Sequence, residues 1–411
     1  MVNLWGAETK LPLGALFAGM VASLALLSGL AQAAKPAPAL YSYYAVGTVG
    51  SPVGSVAPKI TLPKPTYPSY VLMGGGPDVD QAFRWMIQKA GISQPTGGRL
   101  VVIRTTGDGA YNPYIYYSNK RSSTKPSDVV DGWVGGASLG LTSVETLVIP
   151  SVEAAKNSTV NAIVANANAV WIAGGDQSTY IRFWKGTPLE ATLKNLMANN
   201  VPIGGTSAGL AVMGGFDYSA LNASATSPLS LQNPYYSDIT FDPSPLSTQG
   251  GFIAPEAFKD VIFDSHLDSR DRMGRLVTFV SRLVGPYAGT ATQTYGCPGG
   301  VLGNSQARGI GVGVEAALLV AGSPDGYIGE RVTNVSTSTE SAVYFVGVTM
   351  GPTQCLAGKP LDVPTSSVAI RKLATSGRQV NLTRLTDPVY GLPVYKWGGV
   401  SYGTLTPTNP Y

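Results

Sequence analysis

The sequence predicts an α/β fold on a mostly parallel sheet, and three observations carry that expectation. Short continuous apolar runs recur at 100–103 (LVVI), 146–149 (TLVI) and 169–172 (AVWI). Runs without polar alternation mark strands buried on both faces, as in a parallel sheet covered by helices. Segments with apolar residues at helical spacing separate them, and such repeats need right-handed crossovers between parallel neighbours. Finally, Gly-Thr-Ser-Ala-Gly at 205–209 follows Val201, Pro202 and Ile203 and precedes the helix-compatible Leu210, Ala211 and Met213. Ser207 therefore sits at a strand-to-helix turn.

The amino end reads as a signal peptide, residues 1–33. Lys10 precedes an apolar run over 11–30, and Ala31-Gln32-Ala33 offers a small-x-small site for cleavage before Ala34. An uncleaved anchor is the rival, since the run approaches spanning length. Either way the body is expected to be exported, secreted or periplasmic. Residues 34–69, rich in Pro, Ser, Gly and Tyr, read as a linker or surface arm.

The ordered catalytic body is expected over 70–322. Tyr70 to Met73 form a strand running into Gly74-Gly75-Gly76, and Asp78 starts a helix with Ala82, Phe83, Met86 and Ile87 inward. Residues 108–117, tyrosine-rich and broken by Pro113, read as a loop. A helix over 152–167 leads into the AVWI strand, which ends in Gly174-Gly175-Asp176-Gln177. Thr187-Pro188-Leu189-Glu190 has the pattern of a capping box with proline at the first helical position. Residues 216–254 are too long for an ordinary connection and read as a lid or rim. Beyond His266 a helix is expected from about Ser269, and 309–320 (GIGVGVEAALLV) reads as one strand-like run carrying Glu315. Alternating runs over 323–411 give a β-rich carboxyl region, either a small sandwich or further strands on the body.

Composition narrows the function. The 411 residues are 44% hydrophobic and 13% charged, which suits a well-packed body with a largely uncharged polar surface. A net charge of +4 without Lys/Arg clusters argues against nucleic acid as a partner. One histidine and two widely separated cysteines form no transition-metal cluster, so no metal or cofactor is expected. In an oxidising compartment Cys297 and Cys355 would form a disulfide; two buried thiols are the alternative.

Ser207 has the setting of a nucleophile, because a tight turn of small residues lifts the hydroxyl and leaves backbone N–H groups free for an oxyanion. His266 is the chain's one histidine, so a serine hydrolase with a histidine base has no other candidate. Arg270, Arg272 and Arg275 follow at an expected helix start, where cations are out of place for stability. An anionic ligand and a solvated face both account for them.

Gly-Gly-Asp-Gln at 174–177, the Ser207 motif about thirty residues on, Asp-x-His at 264–266 with Arg-Asp-Arg-Met-Gly-Arg at 270–275, and Gly-Ile-Gly-Val at 309–312 occur in this order. Over about 70–320 the chain thereby resembles the cyanophycinase and dipeptidase E family of serine peptidases, most closely the exported cyanophycinase-like branch. The resemblance implies a flavodoxin-like fold related to class I glutamine amidotransferases, with Ser207 as nucleophile and His266 as base. It also implies a substrate pocket lined by Gln177, Asp264, Arg270, Arg272 and Arg275. Backbone N–H groups of Gly174, Gly175 and Ala208 are candidate oxyanion donors. The family commonly carries Asp-Glu after the Gly-Ile-Gly-Val strand. Here Gly313 and Val314 stand there, with Glu315 one residue late, and on a continuous strand one residue reverses side-chain direction. Either a bulge brings Glu315 to the imidazole, the acid comes from elsewhere, or the third member is weak.

The implied substrate is cyanophycin, a polyaspartate with arginine on each β-carboxyl, cleaved by an exopeptidase to β-Asp-Arg. An Asp-X dipeptidase and a secreted non-catalytic binder are the alternatives. An α/β-hydrolase esterase fits less well, since about 145 residues follow His266 and those enzymes place the histidine near the carboxyl end. The expected partner is a peptide or polymer substrate, with a homodimer left open. Ser207 and His266 are expected about 2.6–3.2 Å apart at the rim of a single parallel sheet.

Overall fold

Local strand–helix units build the amino-terminal half. The computed structural model describes residues 39–49, 55–117, 135–244, 247, 249–290, 293–334 and 341–411; the signal peptide and its cleavage site lie outside the described residues. The chain forms β1 (Ser42–Gly47), β2 (Ser69–Met73), α1 (Asp80–Lys89), β3 (Arg99–Arg104), α2 (Tyr111–Tyr117) and β4 (Ser143–Val148). It continues through α3 (Val152–Lys156), α4 (Ser158–Ala165), β5 (Ala169–Ile172), α5 (Gln177–Trp184), α6 (Pro188–Ala198), β6 (Ile203–Thr206) and α7 (Ala208–Ala211).

The second half is mainly strands. After β7 (Asp217–Tyr218), α8 (Ser227–Gln232) and β8 (Phe241–Asp242) come β9 (Val261–Ser265), α9 (Met273–Leu283) and the pair β10 (Tyr287–Thr290) and β11 (Gln293–Tyr295). Then follow β12 (Arg308–Val312), β13 (Ala316–Ser323), β14 (Gly326–Thr333), β15 (Val343–Val348), β16 (Val363–Leu373), β17 (Gln379–Asn381), β18 (Lys396–Ser401) and β19 (Thr404–Thr406).

The first sheet has the order β1-β4-β3-β5-β6-β2-β13-β14-β17. Its centre, β4 to β2, is parallel throughout, and β1 and β13 join it antiparallel. Val102 faces α1 and α2 while Val101 and Ile103 face α3 to α6, so helices cover both faces. That double cover explains the unbroken apolar runs. A second sheet, β19-β18-β16-β15-β12-β9, is antiparallel except for β12 beside β9. One of its faces packs through Phe263, Ile310, Val343 and Phe345 into the first sheet's core, and α9 covers the other. Residues 39–411 form one compact unit, and strands from 323–411 belong to both sheets.

Several local expectations need correction. β9, which leads to His266, lies in the second sheet, so Ser207 and His266 meet where two sheets adjoin and not along one. The 309–320 run is not one strand: it breaks at Gly313-Val314-Glu315, where Glu315 has φ 58°, and its halves enter different sheets. Residues 42–47, within the expected arm, are the edge strand β1. The tyrosine-rich loop is helix α2, with Pro113 in its first turn, where a missing N–H leaves no intrahelical bond unmade. The 152–167 helix is split at Asn157, whose side chain caps α4. Thr187 precedes α6 without a side-chain cap; its hydroxyl bonds the Trp184 carbonyl, and Glu190 accepts from the Gly186 amide. The expected disulfide, by contrast, is present and joins Cys297 to Cys355.

Candidate active site

Ser207 stands at the end of β6, in the middle of the first sheet. Its φ of 52° and ψ of −112° put it in a region non-glycine residues rarely occupy, a strain of about 1–3 kcal/mol. Bonds on either side hold it: the Ser207 amide donates to Met73 at 3.1 Å, and the Ala211 amide donates to the Ser207 carbonyl at 3.0 Å. Gly209 has no room for a side chain, since a Cβ there would lie 2.0 Å from the Ile172 carbonyl oxygen. The motif's glycine is thus what lets the short helix α7 pass close over β5. Ala208 opens that helix, where an amide has no carbonyl four residues back to bond. Gly174 packs at Ser207, with 3.5 Å between its built Cβ position and the serine Cβ.

His266 follows β9 immediately and also has a positive φ, 49°. Its amide donates to Gly74 at 2.8 Å, and its ring lies on Gly75, where a Cβ would come within 2.4 Å of Cε1 and Nε2. The Gly74-Gly75-Gly76 turn is therefore a seat for the imidazole. Nε2 is 3.0 Å from the Ser207 Oγ, a hydrogen-bonded pair brought together across 59 residues. Burial, then the Arg270 and Arg272 cations, lower the His266 pKa to about 4 against the pull of Asp264 and Asp268. The imidazole is neutral at pH 7, as a proton acceptor must be, but a weak base.

Glu315 is half-buried at the turn between β12 and β13, with its amide donating to Gly75 at 2.9 Å. No hydrogen bond joins its carboxylate to the imidazole. Asp268 lies in the same turn region, accepting from the Ser269 amide at 2.7 Å and the Val314 amide at 3.3 Å.

The three arginines divide into two roles. Helix α9 begins at Met273, four residues later than expected, so Arg270 and Arg272 belong to the turn before it. Both line a cleft of about 470 Å³ beside Ser207, together with Gln177 and Asp264. Arg272 donates to the Ser265 carbonyl at 2.8 Å, and burial lowers its pKa to about 10. Arg275 points into the core instead. It is 2% exposed and grips the buried Asp264 with two bonds, from Nε at 2.7 Å and Nη2 at 2.5 Å. Despite burial its pKa is raised by Asp264. Asp264, with Arg272 also at 3.6 Å, is thus already neutralised by protein cations.

The cleft contains residues the motifs did not reveal. Arg182, on α5, reaches the Leu221 carbonyl, and 220–224 form the facing wall. Arg182 lies outside the Gly-Gly-Asp-Gln motif, five residues after Gln177 and so off its helix face, and had no signal in the sequence. The wall had none beyond its place in the expected rim.

Parts of the chain are similar to known proteins. The description of peptidase family S51 matches residues 137–222, a span that contains Gly174 to Gln177 and Ser207 but stops before His266. Cyanophycinases of Trichormus variabilis and of a Nostoc species are each 31% identical over 144 residues, 35% of this chain and 43% of each relative. The matched region thus spans less than half the length of these relatives. A crystal structure of a peptidase from an acI-B1 Actinobacterium aligns over 78% of this chain and 98% of its own, at 15% identity and a TM-score of 0.42.

Proposed function

We propose that this member of the cyanophycinase and dipeptidase E family is an exported serine exopeptidase that releases β-Asp-Arg from cyanophycin or a related aspartyl-arginyl polymer. The observation that carries the reading is the 3.0 Å contact between the strained Ser207 hydroxyl and the neutral His266 imidazole. Ser207 attacks the amide carbonyl, His266 takes its proton and returns it to the leaving amine, and water then releases the acyl group by the reverse path. The Ala208, Gly174 and Gly175 amides are the proposed oxyanion donors. Arg270 and Arg272 are proposed to pair with substrate carboxylates, and Gln177 to bind beside them. Glu315 orients the imidazole in this proposal only after a rearrangement of its turn. Export is supported by the amino-terminal pattern and by the disulfide.

One observation favours an Asp-X dipeptidase as the second reading. The cleft has Arg182, Arg270 and Arg272 on its walls against two carboxylates, Asp176 and an Asp264 already held by Arg275, so cations outnumber the carboxylates left for a substrate guanidinium. The absence of a Glu315 bond and the weak base favour a non-catalytic binder as the third. Purified cyanophycin and Asp-X dipeptides, incubated with the chain and with Ser207→Ala, separate the three. The expected result is β-Asp-Arg release that falls by about 10⁴ or more in the variant. Cleavage of Asp-X alone selects the dipeptidase, and a chain inert toward both substrates and toward a serine-directed label ends the enzyme reading.

A further inference from the structure

A second cleft, of about 540 Å³, opens between the two sheets at the ends of β9 and β12 opposite the catalytic pair. Five strand residues at about 3.3 Å each separate the two sites by roughly 17 Å. Its floor is set by cross-strand register. Arg308, Gly347 and Ala369 lie in one row across β12, β15 and β16, and Ile310, Phe345 and Arg371 in the next. Partners in register share a face, so the two small residues leave a hollow between two guanidinium groups and an apolar patch.

Two features show that the hollow is not a by-product of tight packing. Gly347 is interior to β15, where glycine weakens a strand and often marks the close approach of a ligand. A Cβ built there meets nothing within 4 Å, so neither neighbouring backbone nor neighbouring side chains demand glycine. The charges are also unbalanced. Arg308 pairs with Asp260 and Lys259 with Glu256. Arg371 is half-buried, its Nε donates to the Leu392 carbonyl at 2.8 Å, and it has no carboxylate partner among the described residues. Burial lowers its pKa, the signature of a cation short of countercharge.

We propose that this cleft is a second binding site, for a small amphipathic monocarboxylate. The carboxylate lies against the free edge of the Arg371 guanidinium, whose planar fork matches it in two parallel bonds. The apolar body lies over Gly347 and Ala369, between Phe345 and Leu382. A fatty carboxylate and the carboxyl end of a peptide with an apolar last residue share this chemistry, and octanoate and N-acetyl-leucine are the probes that tell them apart.

The experiment is calorimetric titration of the full chain carrying Ser207→Ala, so that no turnover intrudes. At least one probe is expected to saturate, with octanamide, which keeps the body and lacks the charge, at least about tenfold weaker than octanoate if the aliphatic arm binds. N-acetyl-leucinamide serves the same purpose for the peptide arm. Arg371→Met should abolish the preference for carboxylate over amide. Gly347→Leu, which the open space accommodates, should keep or raise the thermal midpoint while removing binding. Failure of both probes to saturate at millimolar concentration overturns the proposal, as does equal binding of acid and amide to the parent. So does binding that survives Gly347→Leu, which would put the carboxylate in the catalytic cleft.

Discussion

The two sides of the Ser207–His266 contact are built in opposite ways. On the serine side, β5, α5, α6, β6 and α7 follow one another in the chain, and the elbow is fixed mainly by the close packing of Gly209 on β5, with one hydrogen bond from outside that run, the Ser207 amide to Met73. On the histidine side, the imidazole rests on Gly75 from β2's end, nearly two hundred residues earlier, and its strand is anchored by the Asp264–Arg275 pair. A nucleophile held mostly by its chain neighbours is less exposed to changes elsewhere. A base held by electrostatics and distant backbone is more exposed to them, and this asymmetry says where substitutions should hurt.

The largest effect is expected at Arg275. Removing one partner of a buried ion pair leaves the other charged and unpaired, which costs about 3–5 kcal/mol. Arg275→Met should therefore lower the urea midpoint strongly, toward the lower part of that range because Arg272 stands 3.6 Å from Asp264. Arg270→Met, on the exposed rim, should change stability by less than about 0.5 kcal/mol. Equal, small effects at both positions would mean that the histidine side is not anchored through Asp264.

Gly75 gives the next test. Alanine there would bring a Cβ within 2.4 Å of the imidazole and would sit at φ 102°, so the ring must shift. A displacement of about 1 Å in a reacting group can cost about 10²-fold. We expect Gly75→Ala to lower kcat by that order while circular dichroism stays that of the parent. Parent-like turnover would break the comparison by showing that the base does not depend on this seat.

The same asymmetry explains what was legible in the sequence. LVVI, TLVI and AVWI stand out because each strand is covered on both faces, and the Ser207 elbow is written in consecutive residues. The second sheet is also covered on both faces and its β15 (VYFVGV) is a similar apolar run, but nothing in the sequence marks it as a separate sheet. Its β12 runs into β13 of the other sheet through an apolar stretch whose only marks of a break are Gly313 and a residue forced to positive φ at Glu315. Arg270, Arg272 and Arg275 read alike because spacing cannot tell which guanidinium turns inward; the start of α9 at Met273 decides it, and no capping residue announces that start. Likewise Gly75 reads as a turn residue until the imidazole arrives over it.

The smallest effect is a shift in pH dependence. Burial and the two turn arginines keep His266 from taking a proton until about pH 4, whereas the unfolded side chain does so near 6.5. Between those values the unfolded state binds more protons, so stability rises with pH across the window and is lost as pH falls from 6.5 toward 4. The acid limb of kcat/KM reports the free enzyme's base, and so should centre near pH 4. Arg270→Gln removes one opposing cation at a solvated position, where a single charge contributes no more than about one pKa unit. The limb should then move upward by less than that, toward neutral pH. A limb near 6.5 in the parent, or one that Arg270→Gln moves downward, would mean that the arginines beside the imidazole do not set its charge, and the electrostatic half of the comparison would fall while the steric half stood.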